Sequence, residues 1–263
     1  ALRLSAPRIG LVDVYGGSMD AGWVRLIFDS FDFPYRVVYP PELDRADLRG
    51  RYDALVFVPG LVPEPGGGGG SVPDSSWVPP EYHERLGTIT SERTIPAVRR
   101  FIEEGGTVLA MGSSTRLAEH LALPVSDHLV EATAEGTRPL TREEFFIPGS
   151  VLRTRVDASH PLAHGTDGEL AVMFERSPVY RVAAGARGVT RVGWFDTAQP
   201  LMSGWAWGQE RLEGGATVLE AELGEGKLLL FGPEITFRGQ SHEAMKLLFN
   251  GLYYGTAREQ RLR

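Results

Sequence analysis

The first 123 residues set apolar, β-branched runs and amphipathic stretches in strict alternation, and this limits the folds open to the chain. "RIGLVDVY" (8–15), "PYRVVYP" (34–40), "YDALVFVPG" (52–60) and "TVLAMGSS" (107–114) are short and rich in Val, Ile and Leu. Between them, "MDAGWVRLIFDSF" spaces Trp23, Leu26, Ile27 and Phe31 as one face of a helix. "SERTIPAVRRFIEEGG" (91–106) is a second helical stretch, with Gly105 and Gly106 as its stop signal, and "TRLAEHLAL" (115–123) is a third. Strand, helix, strand at this cadence predicts a parallel sheet covered by helices on both faces. Such a flavodoxin-like α/β fold places any site at the carboxyl ends of its strands.

Two stretches break the alternation. Residues 61–80 are dominated by Gly, Pro and Ser, with Gly66 to Gly70 in one run, and are expected to form a flexible loop. From about 124 to 215 the apolar runs shorten and turn residues multiply, as in "FFIPGSVLRTRVD", "ELAVMFERSPVYRVA" and "VTRVGWFD". That stretch predicts a mostly antiparallel β insertion. "ATVLEAEL" and "GKLLLFGPEI" flank Gly224-Glu225-Gly226 as a hairpin, and 240–254 is a closing helix. The expected organisation is a single domain over 1–263.

Composition removes several classes of function. The net charge of -7 is wrong for a general nucleic-acid binder, which must displace counterions with a basic surface. No run of about 18 apolar residues is present, so no membrane span is expected, and the first residues lack the apolar core of a signal peptide. The chain has no cysteine. Disulfides, thiolate metal sites and a cysteine nucleophile are excluded together.

Few residues then remain for chemistry. Ser113 and Ser114 follow the fourth strand and precede an apolar helix, the pattern of an N-terminal cap. The same place would suit an anion. Gly16-Gly17-Ser18 before a helix is a tight turn, without the glycine spacing of a dinucleotide site. His128 and Glu131 stand at His-x-x-Glu spacing, but nothing supplies a third ligand, and no metal or other cofactor is expected. His160 and His164 flank Pro161, which favours a turn. The tryptophans near 205 would suit stacking on a sugar. Ser18, Asp20, Ser113, Ser114, Glu234 and Arg238 are the candidate ligand-binding residues.

The segment "KLLLFGPEITFRGQSHEAMKLLFNGLYYG" resembles the last strand and helix of a class I glutamine amidotransferase domain. There Phe-His-Pro-Glu supplies a His and a Glu that work with a cysteine on a sharp turn after a central strand. Here the His position is Gly232, the Cys position falls on Gly112 or Ser113, and only Glu234 is retained. Three strings besides "LFGPEITFRGQ" extend the likeness: "YGGSMDAGW", "PGSVLRTRVDASHPLAHG" and "SGWAWGQERLEGG". Together they resemble the C-terminal region of bacterial zinc carboxypeptidase-like proteins of the carboxypeptidase A type. The resemblance implies an amidotransferase-like accessory domain beside a zinc carboxypeptidase domain on the same polypeptide, with no catalytic residue of its own. A place outside the cytoplasm, as part of a longer precursor, is compatible with it. The degenerate corner is expected to serve packing, with Glu234 accepting hydrogen bonds from the amides of 112–114. Two alternatives stand beside this reading: a binding module for a small anionic ligand or glycan at the strand ends, and a serine-dependent hydrolase using Ser113 or Ser114 with Asp13, Asp20 or Glu234.

Overall fold

The structure is a computed structural model that describes residues 2–45, 47–67 and 70–259. Its strands β1 (Ile9–Val12), β2 (Tyr35–Val38), β3 (Ala54–Phe57) and β4 (Thr107–Met111) come from the first half of the chain. β5 (Ser150–Val156), β6 (Glu169–Phe174), β7 (Val189–Trp194), β8 (Ala216–Leu223) and β9 (Gly226–Phe231) come from the second. They form one sheet in the order β6-β5-β7-β8-β9-β4-β3-β1-β2. The five strands from β9 to β2 run parallel. β5 to β8 pair antiparallel, and β8 meets β9 through the expected hairpin. Most of the β-rich insertion therefore continues the parallel sheet, and only the hairpin of Val130–Thr133 and Gly136–Pro139 stands as a separate two-stranded sheet among the described residues.

Helices cover both faces. α1 (Met19–Ser30) and α3 (His242–Gly255) pack on one side, and α2 (Thr94–Glu103) on the other. The sheet is sandwiched between them, which explains why the parallel strands read as continuous apolar runs: β1, β3 and β4 are buried at every position. The buried face of α1 is Ala21, Val24, Ile27 and Phe28. Helical spacing places Trp23, Leu26 and Phe31 inward with Ile27, but Leu26 and Phe31 are about half exposed and Trp23 turns toward the strand ends. Phe31 is held from outside, edge-on against Phe249 at 5.0 Å.

The loop after β3 is tied at its start. Pro63 O lies 2.8 Å from His120 Nε2, and Arg116 pairs with Glu64 at 3.1 Å. Short 3-10 turns follow at Ser75–Trp77 and Pro80–Arg85. Of the five consecutive glycines, Gly68 and Gly69 lie outside the described residues.

Candidate functional site

The corner that resembles a glutaminase site is closed by the insertion. The chain leaves β9 at Phe231 and passes Gly232, whose N–H donates to Thr217 O at 2.9 Å. A Cβ at position 232 would stand 2.1 Å from the carbonyl oxygen of Pro178. That is far inside van der Waals contact, and the obstacle is backbone. Pro178 precedes the short strand Tyr180–Val182, which pairs with Val125–Asp127 and, through Tyr180, with Ala216. Tyr180 is buried, and its hydroxyl meets Thr115 Oγ1 at 2.5 Å, while Thr115 Oγ1 donates to Gly112 O at 2.5 Å. Burial pushes the Tyr180 phenol well above its usual range. Gly112 has φ of 53°, and a Cβ there would meet Pro59 Cγ at 2.8 Å. The base position has no room for a side chain, and of the two nucleophile positions Gly112 is crowded as well, while Ser113 carries a hydroxyl.

The two serines do not cap a helix, contrary to expectation. The segment Gly112–Arg116 is a 3-10 turn without a side-chain cap, and Leu117–His120 is a single helical turn, also uncapped. Ser113 Oγ instead accepts from Gly60 N–H at 2.8 Å. Ser114 Oγ donates to Val58 O at 2.6 Å and accepts from Leu61 and Val62 N–H at 3.3 and 3.4 Å. Their short hydroxyls fasten the turn after β3 to the turn after β4. Among the described residues neither hydroxyl bonds a His, Asp or Glu. Asp13, the first candidate acid, is buried, pairs with Arg25 and accepts from Val14 and Ser18 N–H at 2.9 and 3.1 Å. Burial still raises its pKa against these partners. Ser18 caps α1, accepting from Ala21 N–H at 3.1 Å.

Three of the six candidate residues do converge. Asp20, Glu234 and Arg238 line a cleft of about 600 Å³ beside the carboxyl ends of β1 and β9, with Met19, Trp23, Glu175, Arg176 and Phe237 among its other walls. One backbone bond builds it: Glu234 N–H donates to Met173 O at 3.0 Å, so the turn after β9 docks on β6 and brings Glu234 beside Glu175. Burial raises the Glu234 carboxyl to about 7, and the charges of Asp20 and Glu175 push the same way. Asp20 is raised too, by burial and then by Glu175. Glu234 thus does not accept from the 112–114 amides, as the sequence suggests. It faces like charge. Arg176 and Arg238 have φ of 49° and 51°, two of the four non-glycine residues with positive φ among those described. Each such conformation costs about 1–3 kcal/mol and concentrates at functional sites. Glu175 and Arg176 escape a reading of the sequence. The one local sign is "FERSP", two charges at the end of an apolar strand, and its neighbour across the sheet is fixed only by the Met173–Glu234 pairing.

A second hollow of about 430 Å³ shares Arg176 with the cleft and is lined also by Asp127, Arg142, Phe146 and Ser177. Trp205 and Trp207, both about half exposed, lie beside Phe146. Trp207 is anchored through Nε1–H to Glu143 O at 2.6 Å.

The residues of the histidine motifs are engaged in local contacts. Glu131 pairs with Arg138 across its hairpin, whereas His128 lies under Gly215 with its pKa lowered by burial. His160 Nδ1 accepts from Leu162 N–H at 3.2 Å in a 3-10 turn, and Nε2 lies 3.2 Å from Glu220. Asn250 on α3 donates to the carbonyls of Leu162 and His164 at 3.0 and 2.9 Å, which docks the "HPLAHG" loop. Among the described residues no three His, Asp or Glu side chains are placed to hold a metal ion, and no helix is long and apolar enough to cross a membrane.

No protein-family model matches the chain, and no curated protein matches it. Solved structures share its architecture. The cytoplasmic protein STM3548 from Salmonella typhimurium superposes with a TM-score of 0.52 at 13% identity, covering 96% of this chain and 100% of that one. A putative GMP synthase component from Thermoplasma acidophilum gives 0.52 at 11% identity, covering 94% of each chain. A cold-adapted β-galactosidase from Rahnella sp. R3 gives 0.50 at 11% identity over 97% of this chain but 31% of the enzyme. Likeness at these identities establishes the fold: a flavodoxin-like α/β sheet of the glutamine amidotransferase-like kind.

Proposed function

We propose that this chain is a non-catalytic accessory domain that binds a hydroxyl-rich ligand, such as a glycan, in the cleft beside the ends of β1 and β9. The observation that carries the first half is the Pro178 carbonyl, 2.1 Å from where a side chain at 232 would begin. A glutaminase needs a base at that point and a nucleophile at the turn after β4. The base place is Gly232, walled by Pro178 O, and the nucleophile place is either Gly112, crowded by Pro59, or Ser113, whose hydroxyl accepts from Gly60 N–H. A serine without a base stays protonated and unreactive, which weighs against the hydrolase reading for Ser113.

The ligand class follows from the cleft walls. Asp20, Glu175 and Glu234 repel a simple anion, so the anionic alternative is the weaker one. Carboxylates and guanidiniums side by side hydrogen-bond hydroxyl groups as acceptors and donors, and Trp23 offers a ring to stack on. Titration with a panel of oligosaccharides tests this. Saturable binding lost in Glu175→Gln and in Arg238→Ala is expected, while no binding, or binding indifferent to both changes, defeats the reading.

The partner proposal rests on the four long strings that resemble zinc carboxypeptidase-like proteins. A zinc peptidase domain on the same polypeptide would supply the chemistry, and this domain would position its substrate. Sequencing the complete reading frame tests it. An upstream His-x-x-Glu helix with a distant His is expected; a frame without any peptidase domain refutes the partnership.

A further inference from the structure

We propose that a second, separate site lies at the β2 edge of the sheet: an arginine-lined pocket for a compact oxyanion carrying at least two negative charges. The hollow has a volume of about 490 Å³. Arg36, Arg45, Arg51 and Arg85 line it, with Glu42 and Glu84 as the acidic neighbours in its walls among the described residues. In a chain of net charge -7, this local excess of two positive charges runs against the overall balance.

The four guanidiniums come from four separate segments, so no single helix face or strand periodicity accounts for their meeting. Arg36 stands on β2. Arg45 follows the turn Pro40–Leu43, Arg51 ends the helical turn Leu48–Arg51, and Arg85 ends the 3-10 turn Pro80–Arg85. Two of them are held in place before any ligand arrives. Arg51 pairs with Glu42 at 2.8 Å, and the Tyr52 hydroxyl donates to the same carboxylate at 2.6 Å. Arg85 lies over the ring of Tyr82 at 4.8 Å and that of Tyr39 at 5.4 Å, an arrangement that fixes the guanidinium plane and leaves its edge donors free. Arg36 and Arg45 are exposed and have no carboxylate within ion-pair distance among the described residues.

Glu42 is already engaged by Arg51 and Tyr52. The remaining charge is therefore Arg36, Arg45 and Arg85 against Glu84 alone. Guanidiniums bind phosphate and carboxylate through paired, charge-assisted bonds. A ligand with phosphate groups or with clustered carboxylates presents the same chemistry to this pocket. The site is independent of the cleft near Glu234 and stands whether or not that cleft binds a glycan.

Calorimetric titration of the chain with inorganic pyrophosphate in one arm and citrate in another tests the proposal. Saturable binding of either is expected, weakening as salt rises and falling about tenfold or more in Arg36→Ala and Arg45→Ala, since one lost contact to a charged group is worth that much. Both replaced side chains are exposed, so the fold tolerates the changes, and Arg187→Ala, exposed elsewhere, should leave binding intact. Binding of pyrophosphate alone assigns a phosphate ligand, and binding of citrate alone a polycarboxylate. Failure of both to bind, or binding unchanged in the two pocket variants, overturns the proposal.

Discussion

Replacing Glu234 by Gln should stabilise the protein above neutral pH and do much less in mild acid. The side chain sits in a partly buried cleft, its carboxyl is raised from 4.5 to about 7, and no hydrogen bond opposes the shift. A carboxyl whose folded pKa lies above its unfolded value binds more protons folded than unfolded between the two. Stability then falls as pH rises through that window, and the penalty is complete above about pH 7. The full shift of about 2.5 units would amount to roughly 3.4 kcal/mol at 1.36 kcal/mol per unit. Solvent reaches part of the group, so screening reduces this to about 1–2 kcal/mol. For a chain of this size that is about 2–4 °C in Tm. Gln keeps the shape and removes the charge that Asp20 and Glu175 repel. Thermal melts at pH 5 and pH 8 would read the effect. A variant that melts close to the wild type at pH 5 and clearly higher at pH 8 is the expected result. A variant less stable at both pH values would show that the carboxylate holds the turn, as the sequence alone suggests, and would refute it.

Gly232→Ala should lower stability by about 2–4 kcal/mol, because the clash with Pro178 O is with backbone that cannot swing aside; denaturant unfolding measures it. Gly232→His should be at least as damaging and should release no ammonia from glutamine. Tyr180→Phe removes one buried hydrogen bond to Thr115 and should cost about 1 kcal/mol, visible as a shift in the midpoint of urea unfolding. Asn250→Ala strips two bonds from the 160–165 loop and should raise amide exchange there before it changes the exchange of β4 or β9.

The parallel half of the fold is legible in the sequence because burial on both faces writes strands as unbroken apolar runs, as in Ala54–Phe57 and Thr107–Met111. The insertion is legible as β but not as a continuation of the same sheet: nothing local in "VTRVGWFD" says that it will pair with Ala216–Leu223. The buried face of α1 is obscured because Trp23 and Phe31 are apolar for other reasons, one facing the cleft and the other clasping Phe249 from the surface. Asp20, Glu234 and Arg238 stand out from their positions after strands, which is where sheets of this kind gather ligands. Ser113 and Ser114 hold similar positions, but their hydroxyls are taken by the loop at 58–62, a contact between residues more than 50 apart. Glu175 and Arg176 are out of reach because a single long-range backbone pairing places them. Gly232 is legible as a lost base; only the fold shows that Pro178 has taken the space.

Ammonia release from glutamine, measured on the wild-type chain and on Ser113→Ala side by side, tests the closed corner most directly. No release above the buffer blank is expected from either protein. Saturable release by the wild type that disappears in Ser113→Ala would contradict this, since it would require an open base position and an activated serine.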